Sequence, residues 1–246
     1  MPNWCDNSLT VEGDEKELER FYEHAKGYGL TWESDEQIPK DEKYHSLLDF
    51  SKFIRPTDAE LLRPYGSQED SYGYDWCNEN WGTKWNACDA ISNWDENRYG
   101  IGDDGIDKSY IGYSFNTAWS PMSEQLLRNM EQMFPKLKFS YQFIETGCEF
   151  YGCWNTEESR HEVYEFPDLE RLVEDYIELK SDLYTEEFLK KHYDGEKEHM
   201  RQDAWGDIIV ELETMICDAG DNLKQFTAED VWNYIKGNEE YAKRIQ

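Results

Sequence analysis

The decapeptide WCNENWGTKW at residues 76–85 has the highest density of side chains suited to ligand binding. It contains three tryptophans, Trp76, Trp81 and Trp85, and one basic residue, Lys84. Aromatic side chains can stack on flat ligands, and a stacked nucleobase contributes about 1–3 kcal/mol. One hypothesis is therefore a ligand pocket in which the indoles form a platform and the lysine meets a phosphate or a carboxylate.

A structural interpretation of the same decapeptide competes with the ligand pocket. A loop could pack its tryptophans over the edge of a sheet, with Gly82 permitting a tight turn. Asn78, Asn80 and Thr83 would then bond to backbone groups, as such residues do in turns. The sequence favours this interpretation, because one lysine gives the site little attraction for an anionic ligand.

The charge of the chain limits the partners that it can bind. With 54 acidic and 25 basic residues, the net charge is −29. Such a charge repels nucleic acid and anionic membranes, and it attracts basic surfaces, including the grooves in which other proteins hold DNA or RNA. The sequence therefore predicts no direct contact with nucleic acid or membrane. Many cytosolic proteins are acidic without such a role, so a merely solvated acidic surface is the competing interpretation.

Carboxylates on the predicted C-terminal helices are the candidates for binding a basic partner. Helices with exposed Asp and Glu could occupy the Lys and Arg clusters that otherwise hold a phosphate backbone. The alternative is a solvated helix face. The candidate residues of this acidic face are Glu170, Glu174, Asp175, Glu178, Glu186, Glu187, Glu211 and Glu213.

The sequence contains no pattern typical of a metal site or of a catalytic centre. Cys148 and Cys153 lack the closer, repeated cysteine spacing of structural zinc. Glycine loops for phosphate, nucleophile elbows and zinc-protease motifs are absent from the sequence. Cys5, beside Trp4, is best explained as a small buried residue. We therefore predict no catalytic residue, no metal and no cofactor.

Hydrophobic periodicity predicts the elements that carry these side chains. A strand over residues 5–13, a helix to Lys26, strands over Trp85–Ile91 and Tyr110–Trp119, a helix from Ser120–Pro121 and a strand from Leu137 follow one another. A further strand or hairpin is predicted at Phe150–Trp154. This order predicts an α+β protein: a ferredoxin-like antiparallel sheet with two covering helices at residues 1–154. Residues 28–80 are predicted to form an irregular insertion in this domain.

The C-terminal part, residues 155–246, is predicted to be an acidic helical extension. Helices are expected over Asp168–Leu183, Glu186–His192, Glu196–Cys217 and Thr227–Ile245, and Thr227 to Asp230 has the pattern of a capping box. No segment approaches 18 consecutive apolar residues, and the first residues lack the features of a secretory signal. We therefore expect free cysteines in a reducing cytosol.

Several motifs in order resemble one known family. They are Met-Pro-Asn-Trp-Cys-x-Asn-x-Leu-x-Val-x-Gly at the N-terminus, Trp81–Asn86, Phe115–Pro121, Phe134-Pro135, Phe139 and Gly147–Trp154. Together they resemble the YubB-type family of ferredoxin-like proteins, which phages and plasmids carry. The resemblance spans about residues 1–154 and implies the ferredoxin-like fold and a mobile-element origin. It implies no established reaction and does not extend to the acidic tail.

The leading functional hypothesis combines the charge with this resemblance. We expect a non-enzymatic accessory protein of a phage or mobile element that binds a host protein with a basic surface in the host cytosol. By mimicking nucleic acid, it would inhibit a defence complex that handles nucleic acid, such as a CRISPR system. The alternatives are a small-ligand-binding protein or enzyme that uses the Trp76–Trp85 loop, and a structural or assembly protein of the phage.

Overall fold

The computed structural model describes residues 3–27, 46–55, 71–94, 109–156, 160–180, 187, 190–191 and 197–245. The chain forms two compact units, Met1–Val163 and Tyr164–Gln246. Among the described residues the elements are, in chain order, β1 (Trp4–Glu12), α1 (Glu15–Ala25), a 3₁₀ turn (Phe50–Lys52), α2 (Ser71–Asn80), β2 (Cys88–Ser92), β3 (Tyr110–Ala118), α3 (Glu124–Met133), β4 (Lys138–Glu145), β5 (Phe150–Asn155), β6 (Arg160–Glu165), α4 (Glu170–Leu179), α5 (Lys197–Ala219), a second 3₁₀ turn (Gly220–Asn222) and α6 (Ala228–Ile245).

The sheet of the first unit has the strand order β2-β3-β1-β4-β5-β6. At its centre, Leu9 of β1 lies opposite Tyr113 of β3 on one side and Tyr141 of β4 on the other, in antiparallel register. The strands β1 to β4, with α1 after β1 and α3 after β3, make the ferredoxin-like arrangement. The predicted fold class is thereby confirmed, and β5 and β6 extend the sheet beyond β4.

Apolar residues at alternating strand positions and on one face of each helix build the core of this unit. In β1, Cys5, Asn7, Leu9 and Val11 are buried, while the residues that alternate with them are exposed or half-buried, as expected for a strand with one face on the core. The helix α1 buries Phe21, whose ring meets that of Phe139 of β4 edge-on at 5.5 Å. Burying one such side chain contributes about 1.5–3 kcal/mol. The ring packing therefore holds α1 on one face of the sheet.

The strand predicted over Trp85–Ile91 begins only at Cys88. The preceding Asn86 is buried, and its Oδ1 accepts hydrogen bonds from the backbone N–H of Phe50 and of Ala87, both at 2.8 Å. Its Nδ2 donates to Asp49 Oδ1 at 2.7 Å. Because this side chain ties two loops together, the backbone before Cys88 turns instead of extending.

The helix α3 does not begin at Ser120–Pro121, where the sequence predicted its start, but after the N-cap Ser123. The hydroxyl of Ser123 accepts from the backbone N–H of Leu126 at 3.1 Å, while the hydroxyl of Ser120 donates to the carbonyl of Gly82 at 2.6 Å. Gly82 has a φ of +81°, and a Cβ there would lie 2.6 Å from the Ser123 nitrogen. The serine at the predicted start is thus used to hold a neighbouring loop.

The second unit is built from helices around a core of its own. The first two helices bury Leu172, Val173 and Tyr176 from α4 and Ala204, Ile208, Leu212 and Ile216 from α5, and α6 adds Val231 and Ile235. The predicted capping box is confirmed, because the N–H of Thr227 donates to Asp230 Oδ2 at 2.9 Å and the N–H of Asp230 donates to Thr227 Oγ1 at 3.2 Å.

Some predicted features differ in extent or lie outside the described residues. The sheet continues past residue 154, the predicted domain end, through Asn155 and the unpredicted strand β6. The insertion predicted at 28–80 contains α2, while its residues 28–45 and 56–70 are outside the described ranges. Most of the helix predicted at Glu186–His192 is also outside them. Of the described helices, none combines the length and the apolar character needed to cross a membrane.

Candidate functional site

The decapeptide at 76–85 starts inside α2 and contributes mainly to the wall of the core. Trp81 is fully buried. Its ring packs edge-on against Trp76 at 5.3 Å and against Phe50 at 6.0 Å, and its Nε1 donates to the carbonyl of Ile54 at 3.0 Å. An indole without exposed surface cannot stack on a ligand, so Trp81 acts as a core residue.

The other members of the predicted pocket are half-buried. Trp76 packs against the core, and Trp85 lies beside the ring of Trp4, with ring centroids 5.7 Å apart. The Nζ of Lys84 stands 4.2 Å above the centre of the Trp85 ring, so its charge already rests on an aromatic face. The Trp85 Nε1 is buried and has no hydrogen-bond partner among the described residues. Only the half-buried parts of Lys84 and of the Trp85 ring, and no part of Trp81, remain within reach of a ligand.

Two tryptophans at the same end of the sheet are more exposed than those of the decapeptide. Trp4 is 37% exposed and Trp119 is 45% exposed. Trp119 directly follows Ala118, the cross-strand partner of Trp4, and has a φ of +73°. Its N–H donates to the carbonyl of Asn3 at 2.9 Å. A left-handed backbone is unusual for an aromatic residue and costs about 1–2 kcal/mol, which this contact helps to offset.

A buried polar cluster lies under the central strands near these tryptophans. The Nδ2 of Asn7 donates to the carbonyl of Cys5 at 2.7 Å and to Thr117 Oγ1 at 3.0 Å, and its Oδ1 accepts from the hydroxyl of Tyr141. Burial raises the pKa of the Cys5 thiol and also raises that of Tyr141 well above its usual value. Both groups therefore stay protonated near neutral pH, and the cluster is structural.

A second polar group at this end contains Cys148 and the fully buried Glu145. The Glu145 carboxylate accepts from the N–H of Gly147 at 3.1 Å and from the N–H of Cys148. A hydrogen bond to Glu145 raises the pKa of the exposed Cys148 thiol, and burial followed by the charge of Glu145 raises that of Asp6. A thiol held protonated is a poor nucleophile. Within the described ranges, no group of three or more His, Cys, Asp or Glu side chains could hold a metal ion.

The acidic residues of α4 form a row on the surface of the second unit. Glu170, Glu174 and Glu178 recur every four residues and are exposed, and Asp175 beside them is half-buried. A helix rises 1.5 Å per residue, so neighbouring carboxylates of the row are spaced about 6 Å along its axis. Glu174 forms an ion pair with Arg201 of α5. The structure therefore brings together the four α4 residues that the sequence predicted.

The remaining predicted acidic residues do not join this row. Glu211 is half-buried, and its Oε2 accepts from Asn238 Nδ2 of α6 at 2.8 Å. Glu213 is half-buried further along α5, and Glu187 is exposed in the connection between α4 and α5. Glu186 lies outside the described residues. The single acidic face of the sequence hypothesis is thus a shorter row on α4, with Glu211 used in helix packing.

An open cavity of about 250 Å³ lies between α4 and α5 at one end of the row. Its lining residues are Glu170, Val173, Glu198, Arg201, Gln202 and Trp205. The four residues from α5 follow the i, i+3, i+4, i+7 spacing of one helix face. That spacing is present in the sequence, but it gives no clear signal of a site, because the face mixes charged, amide and aromatic residues instead of repeating one type.

The comparison with family models agrees with the ferredoxin-like fold of the first unit. A family model described as "Ferredoxin-like domain in Api92-like protein" matches residues 93–198. Among solved structures, the protein api92 from Yersinia pseudotuberculosis is similar at 11% identity and a TM-score of 0.42, over 68% of this chain and 98% of that chain. No curated protein matches. The matched residues include β3 to β6 and α4, whereas the motifs of the sequence resemblance span residues 1–154.

Proposed function

We propose that this chain is a non-enzymatic accessory protein of a phage or another mobile element and that it binds a host protein with a basic surface. The proposed partner is a nucleic-acid-handling defence complex, whose basic groove would receive the acidic row of α4. The mobile-element origin rests on the motifs that resemble the YubB-type family. The partner class rests on the net charge of −29, which favours basic surfaces.

The observation that carries this proposal is the exposed row Glu170, Glu174 and Glu178. Its spacing of about 6 Å is wider than the spacing of about 3.4 Å between charges along one strand of duplex DNA. The row alone is therefore a weaker polyanion than DNA, and Arg201 also offsets the charge of Glu174, whereas Asp175 and Glu198 beside it make the local charge more negative. We expect a salt-sensitive interaction that needs shape contacts in addition to charge.

Charge-reversed variants test the acidic row. The first variant carries Glu170→Lys and Glu178→Lys, and it leaves Glu174 in place because that residue pairs with Arg201. The matched control carries Glu12→Lys and Glu19→Lys, two exposed residues of the first unit. Both variants change the net charge equally, so a difference between them reports position and not total charge.

Capture from a host lysate, followed by mass spectrometry, is the measurement. It is done at about 50 and 500 mM salt, because screening shortens the range of charge interactions over this interval. The proposal expects a nucleic-acid-binding complex to be captured by the wild type and by the control at low salt, and to be lost at high salt and in the α4 variant. Equal capture by both variants would exclude the row as the binding surface.

The second candidate function is ligand binding at the exposed tryptophans. It is favoured by Trp119, which is held at a positive φ with nearly half of its surface exposed next to Trp4. A small ligand that quenches the tryptophan fluorescence of the wild type, but not of the Trp119→Ala variant, would support this function. Quenching that is the same after Trp119→Ala would place the ligand elsewhere.

A further inference from the structure

The open cavity between α4 and α5 has a size that fits one extended side chain. Its volume of about 250 Å³ equals that of about eight water molecules at roughly 30 Å³ each. An arginine side chain has seven non-hydrogen atoms, so the cavity has room for it. The cavity is too small for a nucleotide or a folded segment, and its open mouth admits a side chain that a partner presents.

The charges around the cavity favour a cation. Glu170 and Glu198 are exposed at its lining, and within the described part of the chain no basic side chain pairs with either carboxylate. Arg201 also lines the cavity, but Glu174 compensates its charge through their ion pair. The carboxylates of Glu170 and Glu198 are thus not neutralised by a basic side chain among the described residues. A cation that enters the cavity can pair with them.

The uncharged part of the lining is suited to the flat guanidinium group of arginine. Trp205 is half-buried and offers an indole, Val173 contributes an apolar floor, and Gln202 has an amide oxygen that can accept a hydrogen bond. A guanidinium stacks on aromatic faces and can donate two parallel hydrogen bonds to a carboxylate. An ammonium group is a point charge without a planar face. The lining therefore discriminates in favour of arginine over lysine.

We propose that this cavity is an arginine-binding pocket, in which Trp205 stacks on the guanidinium and the carboxylates of Glu170 and Glu198 accept its hydrogen bonds. The inference rests on the proposed function, because the arginine would belong to the basic surface of the bound partner. It adds a specific anchor to the general attraction of the acidic row. A partner that presents only lysines would bind the row but would leave the pocket empty.

A titration of the full chain with short capped peptides tests the pocket without the host partner. The probes are triarginine and trilysine, which carry the same charge. The readout is the NMR signal of the Trp205 indole N–H, identified by its loss in the Trp205→Phe variant. We expect triarginine to shift this signal in a saturable way and to bind several-fold more tightly than trilysine.

Carboxylate variants identify the groups that bind the guanidinium. Glu170→Gln and Glu198→Gln keep the side-chain shape, and each is expected to weaken triarginine binding by roughly fivefold, as for a partly exposed ion pair. The control Glu12→Gln with Glu19→Gln removes two exposed charges of the first unit and should leave the affinity within about twofold. The unshifted indole signals of each variant show that its fold is retained.

Each outcome separates this inference from the proposed function. The pocket assignment is overturned if the Trp205 signal does not move, if trilysine binds as tightly as triarginine, or if the variants Glu170→Gln and Glu198→Gln bind triarginine like the wild type. Arginine binding in the pocket, without capture of any basic host protein, would support the pocket and contradict the proposed function. Capture of a basic host protein, together with a Trp205 signal that does not move, would support the proposed function and contradict the arginine pocket.

Discussion

Two fully buried tyrosines of the central sheet should respond oppositely to the loss of their hydroxyl groups. Tyr141 on β4 donates to Asn7 Oδ1 and accepts from the backbone N–H of Met122 at 3.0 Å. Tyr113 on β3 is equally buried, but its hydroxyl has no hydrogen-bond partner among the described residues. Tyrosine-to-phenylalanine substitution removes one oxygen at either position and leaves the ring packing in place, so the two variants compare a bonded hydroxyl with an unbonded one.

The expected energies follow from the groups that each substitution leaves unpaired. Tyr141→Phe leaves the buried Met122 N–H without its partner and leaves the Asn7 amide oxygen with only the weak hydrogen bond from the Cys5 thiol at 3.8 Å. Leaving a buried polar group without a partner costs about 1–3 kcal/mol, so we expect a loss of about 2–4 kcal/mol. Tyr113→Phe removes an oxygen whose burial is not compensated, and it should change stability by between 0 and about 1 kcal/mol in the stabilising direction.

Urea unfolding followed by tryptophan fluorescence measures both variants. With a slope of about 2 kcal/mol per molar urea, the unfolding midpoint of the first unit should fall by about 1–2 M in Tyr141→Phe and should stay or rise by up to about 0.5 M in Tyr113→Phe. The second unit, which contains Trp205 and Trp232, provides an internal reference. Equal losses in the two variants would refute the reasoning, because they would show that ring packing and not hydrogen bonding sets the cost.

Three further predictions concern backbone geometry, helix capping and thiol chemistry. Gly82→Ala should lower the free energy of unfolding of the first unit by about 2 kcal/mol, because the residue has a φ of +81°. An unchanged urea midpoint would contradict this. Thr227→Ala should cost about 1 kcal/mol in the thermal unfolding of the helical signal, and Thr227→Ser should restore it. Burial raises the pKa of Cys77 to about 12 from 9.0, so a thiol reagent at pH 8 should modify the exposed Cys148 long before Cys77. The unfolded chain ionises this thiol at lower pH than the folded one, so the stability contribution of Cys77 is complete below pH 9 and is lost as the pH rises towards 12.

The elements of the first unit can be predicted from the sequence where the apolar residues repeat with one period, that of a strand or that of a helix. Alternation in Leu137, Phe139, Tyr141 and Phe143 predicts β4, since one face of that strand packs on the core. The strand β6 was missed because its sequence, RHEVYE, is mostly charged, and its Val163 is 57% exposed. A strand at the edge of a sheet is held by backbone hydrogen bonds. Because these bonds do not depend on the type of side chain, the sequence gives little indication of such a strand.

The candidate sites were predictable only in part, because burial and pairing depend on residues that are distant in sequence. The row Glu170, Glu174 and Glu178 follows from helical spacing alone. The burial of Trp81 does not, since its cover includes Phe50, 31 positions earlier in the chain. Glu211 likewise looks like any surface acid until α6 places Asn238 beside it. Local patterns thus predicted which residues share a helix face, but not which faces are covered.

The strand β6 also affects how the chain can be divided into fragments. A fragment that ends at residue 154 would lose the last residue of β5 and all of β6, the neighbour of β5 in the sheet. The freed edge of β5 would present unpaired N–H and carbonyl groups, which are templates for pairing with another molecule. Such a fragment should self-associate, whereas one that extends to Glu165 keeps the edge covered. Recombination that exchanges tails among related chains should therefore tolerate breakpoints after this strand better than breakpoints before it.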